Sequence, residues 1–325
     1  MIRRREFIAV LGGAAAWPIA ARAQQRALPV IGFLSGASAW EYAPQVAAFR
    51  QGLSETGYVE GRNVSVEFRW AEGRYERLPI MAADLVRRQV AVIVANLPAA
   101  LAAKAATTTI PIVFTTGTDP VELGLAANLA RPGGNLTGVS SLSAELGPKL
   151  VELMHELVPT ATIIALLVNP TNPNADTLPK VLEVAARTLG LRLRVLHATS
   201  ERDFDSVFAS LVQPRAGALM IGNDGFFISR VEQLAGLALH YGVPTIFNYR
   251  EFTTAGGLVS YGYDIKSGYR DLGIYAGRIL RGDRPADLPV QQPTKFELVI
   301  NLKTAKALGL AVPPSIRLRA DEVIE

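Results

Sequence analysis

Val90-Ala91-Val92-Ile93-Val94-Ala95-Asn96 opens the stretch, Val90 to Ser140, whose reading decides the fold. An apolar run stops at Asn96, an Ala-rich helical segment follows, and Ile110-Pro111-Ile112-Val113-Phe114 makes a second apolar run. That run ends in a polar stop, Thr115 to Asp119. A further helix and Gly133-Gly134-Asn135-Leu136-Thr137-Gly138-Val139-Ser140 complete the unit. The chain then writes the unit again. GALMIG (217–222) stops at Asn223, Val243-Pro244-Thr245-Ile246-Phe247 stops at Asn248, and Gly256-Gly257-Leu258-Val259-Ser260-Tyr261 echoes the Gly-Gly strand. Short apolar runs alternating with helical periodicity are the pattern of right-handed βαβ units around a parallel sheet. Two copies predict two similar lobes with a cleft between them.

The remainder of the chain extends this rhythm in both directions. Pro29 to Leu34 is a strand apolar on both faces, suited to the middle of a parallel sheet, and it ends in Ser35-Gly36-Ala37-Ser38. Val46, Ala47, Phe49 and Leu53 follow helical spacing up to Gly57, and Val64, Val66 and Phe68 alternate as a half-exposed strand. Helices are predicted over 74–89, 145–157, 176–189 and 203–212. A strand over 162–168 stops at Asn169 to Asn174, and an alternating strand spans Leu191 to His197. The tail is irregular. It holds a helix over 266–280, a Pro-rich linker to Pro289, a strand Phe296–Asn301, a short helix over 304–308 and a final segment over 319–324.

With 325 residues, 49% hydrophobic and 19% charged, the chain can bury the cores of two medium domains. Of the formal charge of +4, residues 1–23 carry +3 through Arg3, Arg4, Arg5 and Arg22 against Glu6. The remainder carries +1, so the basic pI makes no case for nucleic acid. Arg4-Arg5-Glu6-Phe7-Ile8, an uncharged run to Ala21 and a small-x-small site at Ala21-Arg22-Ala23 predict a twin-arginine or Sec signal peptide cleaved after Ala23. The product is expected to be periplasmic. With no cysteine there is no disulfide, no thiol chemistry and no lipid-anchored Cys.

Enzyme signals are weak. His155, His197 and His240 stand alone, and the mature chain contains no GxGxxG, P-loop or GxSxG pattern. No catalytic residue, metal or cofactor is expected. The strand ends carry more. Ligands of open parallel sheets bind outside the carboxyl ends of the strands, and those ends are polar in both halves here. Each Ser, Thr, Asn or Asp there could equally cap a helix. Trp40, Tyr42, Phe226, Phe227, Tyr249, Tyr261 and Tyr263 lie nearby and suit a flat organic ligand, although core packing competes for the Phe pair. Asp264 and Glu251 are candidates to pair with a ligand ammonium.

Asn96-Leu97-Pro98-Ala99-Ala100, Thr118-Asp119-Pro120-Val121, Arg131-Pro132-Gly133-Gly134-Asn135-Leu136-Thr137-Gly138-Val139-Ser140, Gly256-Gly257-Leu258 and Ala320-Asp321-Glu322-Val323-Ile324-Glu325 carry a family likeness. Together they resemble the ABC transporter substrate-binding proteins of the tryptophan/tyrosine-binding type, over about residues 28–325. The resemblance implies a type I periplasmic-binding-protein fold: α/β, with two doubly wound parallel-sheet lobes joined by three crossings, just after Ser140, near Tyr263 and near Val290. Residues 28–140 plus 264–290 would form the N-terminal lobe, and 141–263 plus 291–325 the C-terminal lobe. It implies capture of a small solute, an amino acid or aromatic acid, by closure about a hinge. Delivery would be to an inner-membrane permease with its separate ATPase, by a monomer.

On this reading Ser35, Ser38, Asn96, Thr118 and Asp119 line the site from the first lobe. Asn169, Asn172, Asn223, Asp224 and Phe226 line it from the second, with Tyr249, Tyr261 and Asp264 near the crossings. Backbone N–H groups around 97–100 would hold a ligand carboxylate, with Pro98 and Ala99 of that turn lining the site. A periplasmic sensor feeding a membrane signalling receptor is the alternative. A LacI-type regulator would need a DNA-binding helix-turn-helix where the export signal stands, and a hydrolase would need a nucleophile–base pair that the sequence does not display.

Overall fold

The computed structural model describes residues 28–325 apart from positions 41, 142, 144, 173–174, 213–216 and 294. The expected signal peptide lies outside the described residues. The apolar runs become strands buried on both faces: β1 (Val30–Ser35), β3 (Val92–Asn96), β4 (Ile112–Thr116) and β5 (Leu136–Ser140). With β2 (Ser65–Trp70) they form a parallel sheet in the order β2-β1-β3-β4-β5. The half-exposed reading of the second strand has a simple cause, since β2 is the sheet's edge.

The second sheet repeats the winding. It holds β6 (Ile163–Val168), β7 (Arg192–His197), β8 (Ala218–Ile221), β9 (Thr245–Phe247) and β10 (Val259–Gly262). The tail adds β11 (Glu297–Asn301), antiparallel to β10, and β12 (Glu322–Ile324), giving the order β12-β11-β10-β9-β8-β6-β7. Leaving the two tail strands aside, β7-β6-β8-β9-β10 has the 2-1-3-4-5 order of the first sheet. The repeated sequence unit is therefore a repeated strand order, although turns replace the helix expected between Asp119 and Gly133. The helix expected at 304–308 forms over Leu302–Ala307, and the final segment divides into a helix, Pro314–Arg319, and β12.

Three segments connect the sheets. One follows Ser140, one lies at Tyr263-Asp264 and one follows Val290. The third runs against β5, where Ser140 N–H donates to Gln291 O (2.8 Å) and Gln291 N–H donates to Gly138 O (2.9 Å). The helix Ile265–Leu280 leaves the second sheet and packs on Ala43–Glu55 beside the first. Glycine makes that approach possible. A Cβ at Gly273 would lie 2.1 Å from the Phe49 carbonyl oxygen, and one at Gly52 would lie 1.8 Å from that of Arg270. Both obstacles are backbone, so Gly273→Ala is expected to destabilise the protein by about 1–3 kcal/mol through forced separation of the helices. Urea denaturation followed by circular dichroism measures this, and an unchanged midpoint would show that the helix pair is not close-packed.

Candidate functional site

In the 2-1-3-4-5 winding the strand order reverses between the first and third strands, which leaves a crevice at their carboxyl ends. In the first sheet this is where β1 and β3 end, at Ser35 and Asn96. Asn96 Oδ1 accepts from Gly36 N–H (3.1 Å) and ties the two ends together. In the second sheet β6 leads to Asn169 and β8 to Asn223-Asp224. Asn169 Nδ2 donates to Asp224 Oδ1 (3.2 Å) and Asn172 Nδ2 to Asp224 Oδ2 (2.6 Å). Each crevice is thus closed by an amide or carboxylate at matching positions.

The two crevices face each other and touch. Tyr75, in the turn after β2, donates its hydroxyl to both oxygens of Asp224, at 2.9 and 3.0 Å. Asn223 Nδ2 donates to Ser143 Oγ on the first connecting segment and takes the Tyr249 hydroxyl on its Oδ1 (2.7 Å). Outside the cleft, the Arg230 guanidinium lies 5.9 Å from the Trp40 ring of the first unit and 5.8 Å from the Phe226 ring of the second. Between the units remains a cavity of about 60 Å³. A single water needs roughly 10–15 Å³ on this measure, so the space exceeds a water site. Tyr42, Tyr249, Tyr263 and Tyr269 wall it, with Asn96 and Asp224 among its polar groups and Leu97, Ile228 and Ile265 among its apolar ones. Tyr42 and Tyr269 meet edge to face at 5.6 Å.

Asp224 dominates the electrostatics. It is 3% exposed, and burial pushes its carboxyl above the ordinary carboxylate range, against Asn172, Asn169, Phe226 N–H and Tyr75, which hold it down. All four partners are neutral donors, so the carboxylate has no counter-charge among them. Burial likewise pushes the Tyr249 and Tyr269 phenols up, keeping both as neutral hydroxyls. The Tyr269 hydroxyl is buried without a hydrogen-bond partner among the described residues. No group of three or more His, Asp or Glu that could hold a metal occurs among the described residues.

Of the residues singled out from the sequence, Tyr42, Asn96, Asn172, Asn223, Asp224, Tyr249 and Tyr263 meet at this cavity, and Asn169 stands behind Asp224. The rest are placed elsewhere by local bonding or packing. Ser35 Oγ accepts from Ala37 N–H (3.1 Å), and the Ser38 carbonyl accepts from Tyr42 N–H (3.2 Å). Asp119 caps Val121 N–H (2.7 Å) and does not reach the cavity, while Thr118 lines a smaller neighbouring one. Asp264 caps the Ile265–Leu280 helix through Lys266 and Ser267 N–H, and Glu251 pairs with Lys266 (3.4 Å). Phe226 is core, stacked on Phe204 at 5.3 Å, and Tyr261 packs on the second unit's core beside Phe296.

The expected backbone cradle at 97–100 also departs from expectation. Leu97 N–H is bonded to Thr115 O (3.0 Å), Pro98 has no N–H, and neither Pro98 nor Ala99 lines the cavity. Sequence reasoning passed over Tyr75, Ser143, Gly117 and Tyr269. Tyr75 falls in the first turn of the helix expected over 74–89, Ser143 lies in a polar connecting segment without periodicity, and Tyr269 reads as one more apolar position of an amphipathic helix.

Two doubly wound α/β units closing on a walled cavity, joined by three segments, define a bilobal solute-binding protein of the type I periplasmic-binding fold. Comparison gives the family. The model of the ABC transporter substrate-binding proteins matches residues 28–324, and the chain belongs to that family. A tyrosine-binding protein of Clostridioides difficile (strain R20291) is 30% identical over 281 residues, covering 85% of this chain and 78% of the relative. A conserved domain protein of Vibrio cholerae superposes with a TM-score of 0.83 at 28% identity, covering 91% of this chain and 100% of that one. An ABC domain of Streptococcus pneumoniae in complex with L-Trp gives 0.81 at 26% identity, covering 92% and 100%.

Proposed function

We propose that this chain is the exported solute-binding component of an ABC importer and that its solute is an amino acid, with an aromatic side chain favoured. The lobes would be residues 28–140 plus 264–290 and 141–263 plus 291–325, closing about the three connecting segments. The observation that carries the reading is Asp224, a buried carboxylate with no counter-charge in a cavity walled by tyrosines. A ligand ammonium would supply the missing charge through charge-assisted bonds, and ring faces would cover the flat side chain. The tyrosine-binding relative and the L-Trp complex support the solute class. Contacts made only when both lobes meet, such as Tyr75 to Asp224, would stabilise the closed state that solute selects.

Export to the periplasm is supported by the sequence of residues 1–23 and by the family. No helix among the described residues is long and apolar enough to cross a membrane. The permease and its ATPase would be separate chains. A thermal-shift screen of the mature protein against the amino acids tests the reading. Solute at 100 times its dissociation constant is expected to add about 2.7 kcal/mol of stability. A screen in which no amino acid raises the melting temperature sinks the assignment.

A further inference from the structure

The charges around the cavity are unequal to a zwitterion. Among the described residues, Asp224 is the sole carboxylate lining it and no Lys, Arg or His lines it. Every partner of Asp224 is neutral: the Tyr75 hydroxyl, the Asn169 and Asn172 amides and Phe226 N–H. A ligand ammonium would therefore neutralise the site, whereas a ligand carboxylate would bring a second buried anion beside the first. The backbone cradle expected for that carboxylate is incomplete at this cavity. Leu97 N–H is spent on Thr115 O, and Pro98 and Ala99 lie outside the lining. What remains for an anion is neutral: the Asn96 and Asn172 amides, the hydroxyls of Thr115, Thr116 and Ser141, and the tyrosine hydroxyls, of which that of Tyr249 is already given to Asn223. A buried anion held only by such groups is poorly compensated.

We propose, resting on the reading above, that the ligand's amine is the charged handle this cleft recognises and that the α-carboxylate is dispensable. The cleft would then take protonated arylalkylamines as well as the corresponding amino acids. The ammonium would sit on Asp224 and the ring among Tyr42, Tyr249, Tyr263 and Tyr269.

Isothermal titration of the mature protein with L-tryptophan, L-tyrosine, tryptamine, tyramine and the amine-free 3-indolepropionate tests this. Tryptamine and tyramine are expected to bind within about tenfold of their amino acids or tighter, and 3-indolepropionate about 100-fold weaker or worse. Asp224→Asn is expected to weaken the two amines by about 100-fold. Amines more than tenfold weaker than their amino acids would overturn the inference while leaving the amino-acid reading intact. An Asp224→Asn variant that keeps wild-type affinity for the amines would overturn it as well. If neither amines nor amino acids bind, both readings fall together. The wild-type comparison stands whether or not the variant folds.

Discussion

Gly117→Ala should leave both lobes folded and remove at least about 100-fold of the solute affinity, equivalent to about 2.7 kcal/mol. Gly117 follows β4, on the face of the first lobe that meets the second. A Cβ there would lie 2.0 Å from Asn223 Nδ2 and 2.3 Å from Ser143 Oγ. Neither atom is free to swing aside, because Asn223 is held by the Tyr249 hydroxyl and bonded to Ser143 itself. Gly117 is not among the residues with positive φ, so alanine carries no backbone strain once the lobes separate. On the proposed closure, the substitution acts on the closed state alone, and affinity falls by the free energy that closure loses. Titration calorimetry reads the affinity, and small-angle scattering reads an increased radius of gyration with solute present. Affinity retained within about threefold would show that the solute does not depend on this contact between the lobes.

Asp224→Asn is the second large effect. Truncating a buried charge pair costs about 2–5 kcal/mol, so affinity for an amine-bearing solute should fall by about 30-fold to several thousandfold. The same residue sets a pH dependence with two opposite signs. Its folded-state carboxyl is raised by burial, so ionised Asp224 costs stability at neutral pH. That cost is relieved as pH falls through the raised value. Solute affinity moves the other way, because the protonated acid no longer attracts an ammonium. The window lies above the ordinary carboxylate value of about 3.9. It is therefore separate from Asp84, Asp203 and Asp321, which their hydrogen-bond partners hold below that value. Wild type should lose affinity on mild acidification while Asp224→Asn stays flat. Parallel curves for the two proteins would rule out Asp224 as the group responsible.

Two aspartates show how far sequence reasoning reaches. Asp224 and Asp264 each follow a β-strand and precede a helix, and each accepts from the N–H two residues on, Phe226 and Lys266. Locally they are the same helix cap. Asp264 takes its other bonds from Ser267, three residues away, and its role ends there. Asp224 takes its others from Tyr75, Asn169 and Asn172, which are 149, 55 and 52 residues away. No periodicity or spacing distinguishes the two. Phe226 and Tyr249 make a similar pair, both aromatic and both just beyond a strand end. One is stacked on Phe204 in the core, and the other presents its hydroxyl to Asn223 at the cavity.

By itself the sequence determined the elements, their duplication and the polar character of the strand ends. Those depend on hydrophobic runs and helical spacing within a dozen residues, which a chain displays locally. Tertiary structure alone decided which of the polar ends converge, because Asn96 and Tyr75 belong to one α/β unit and Asp224 to the other, and they meet only where the two units pack together. It also decided that Leu97 N–H takes no part in the carboxylate cradle expected at 97–100, since it is bonded to a neighbouring strand's carbonyl, a partner found only through sheet packing.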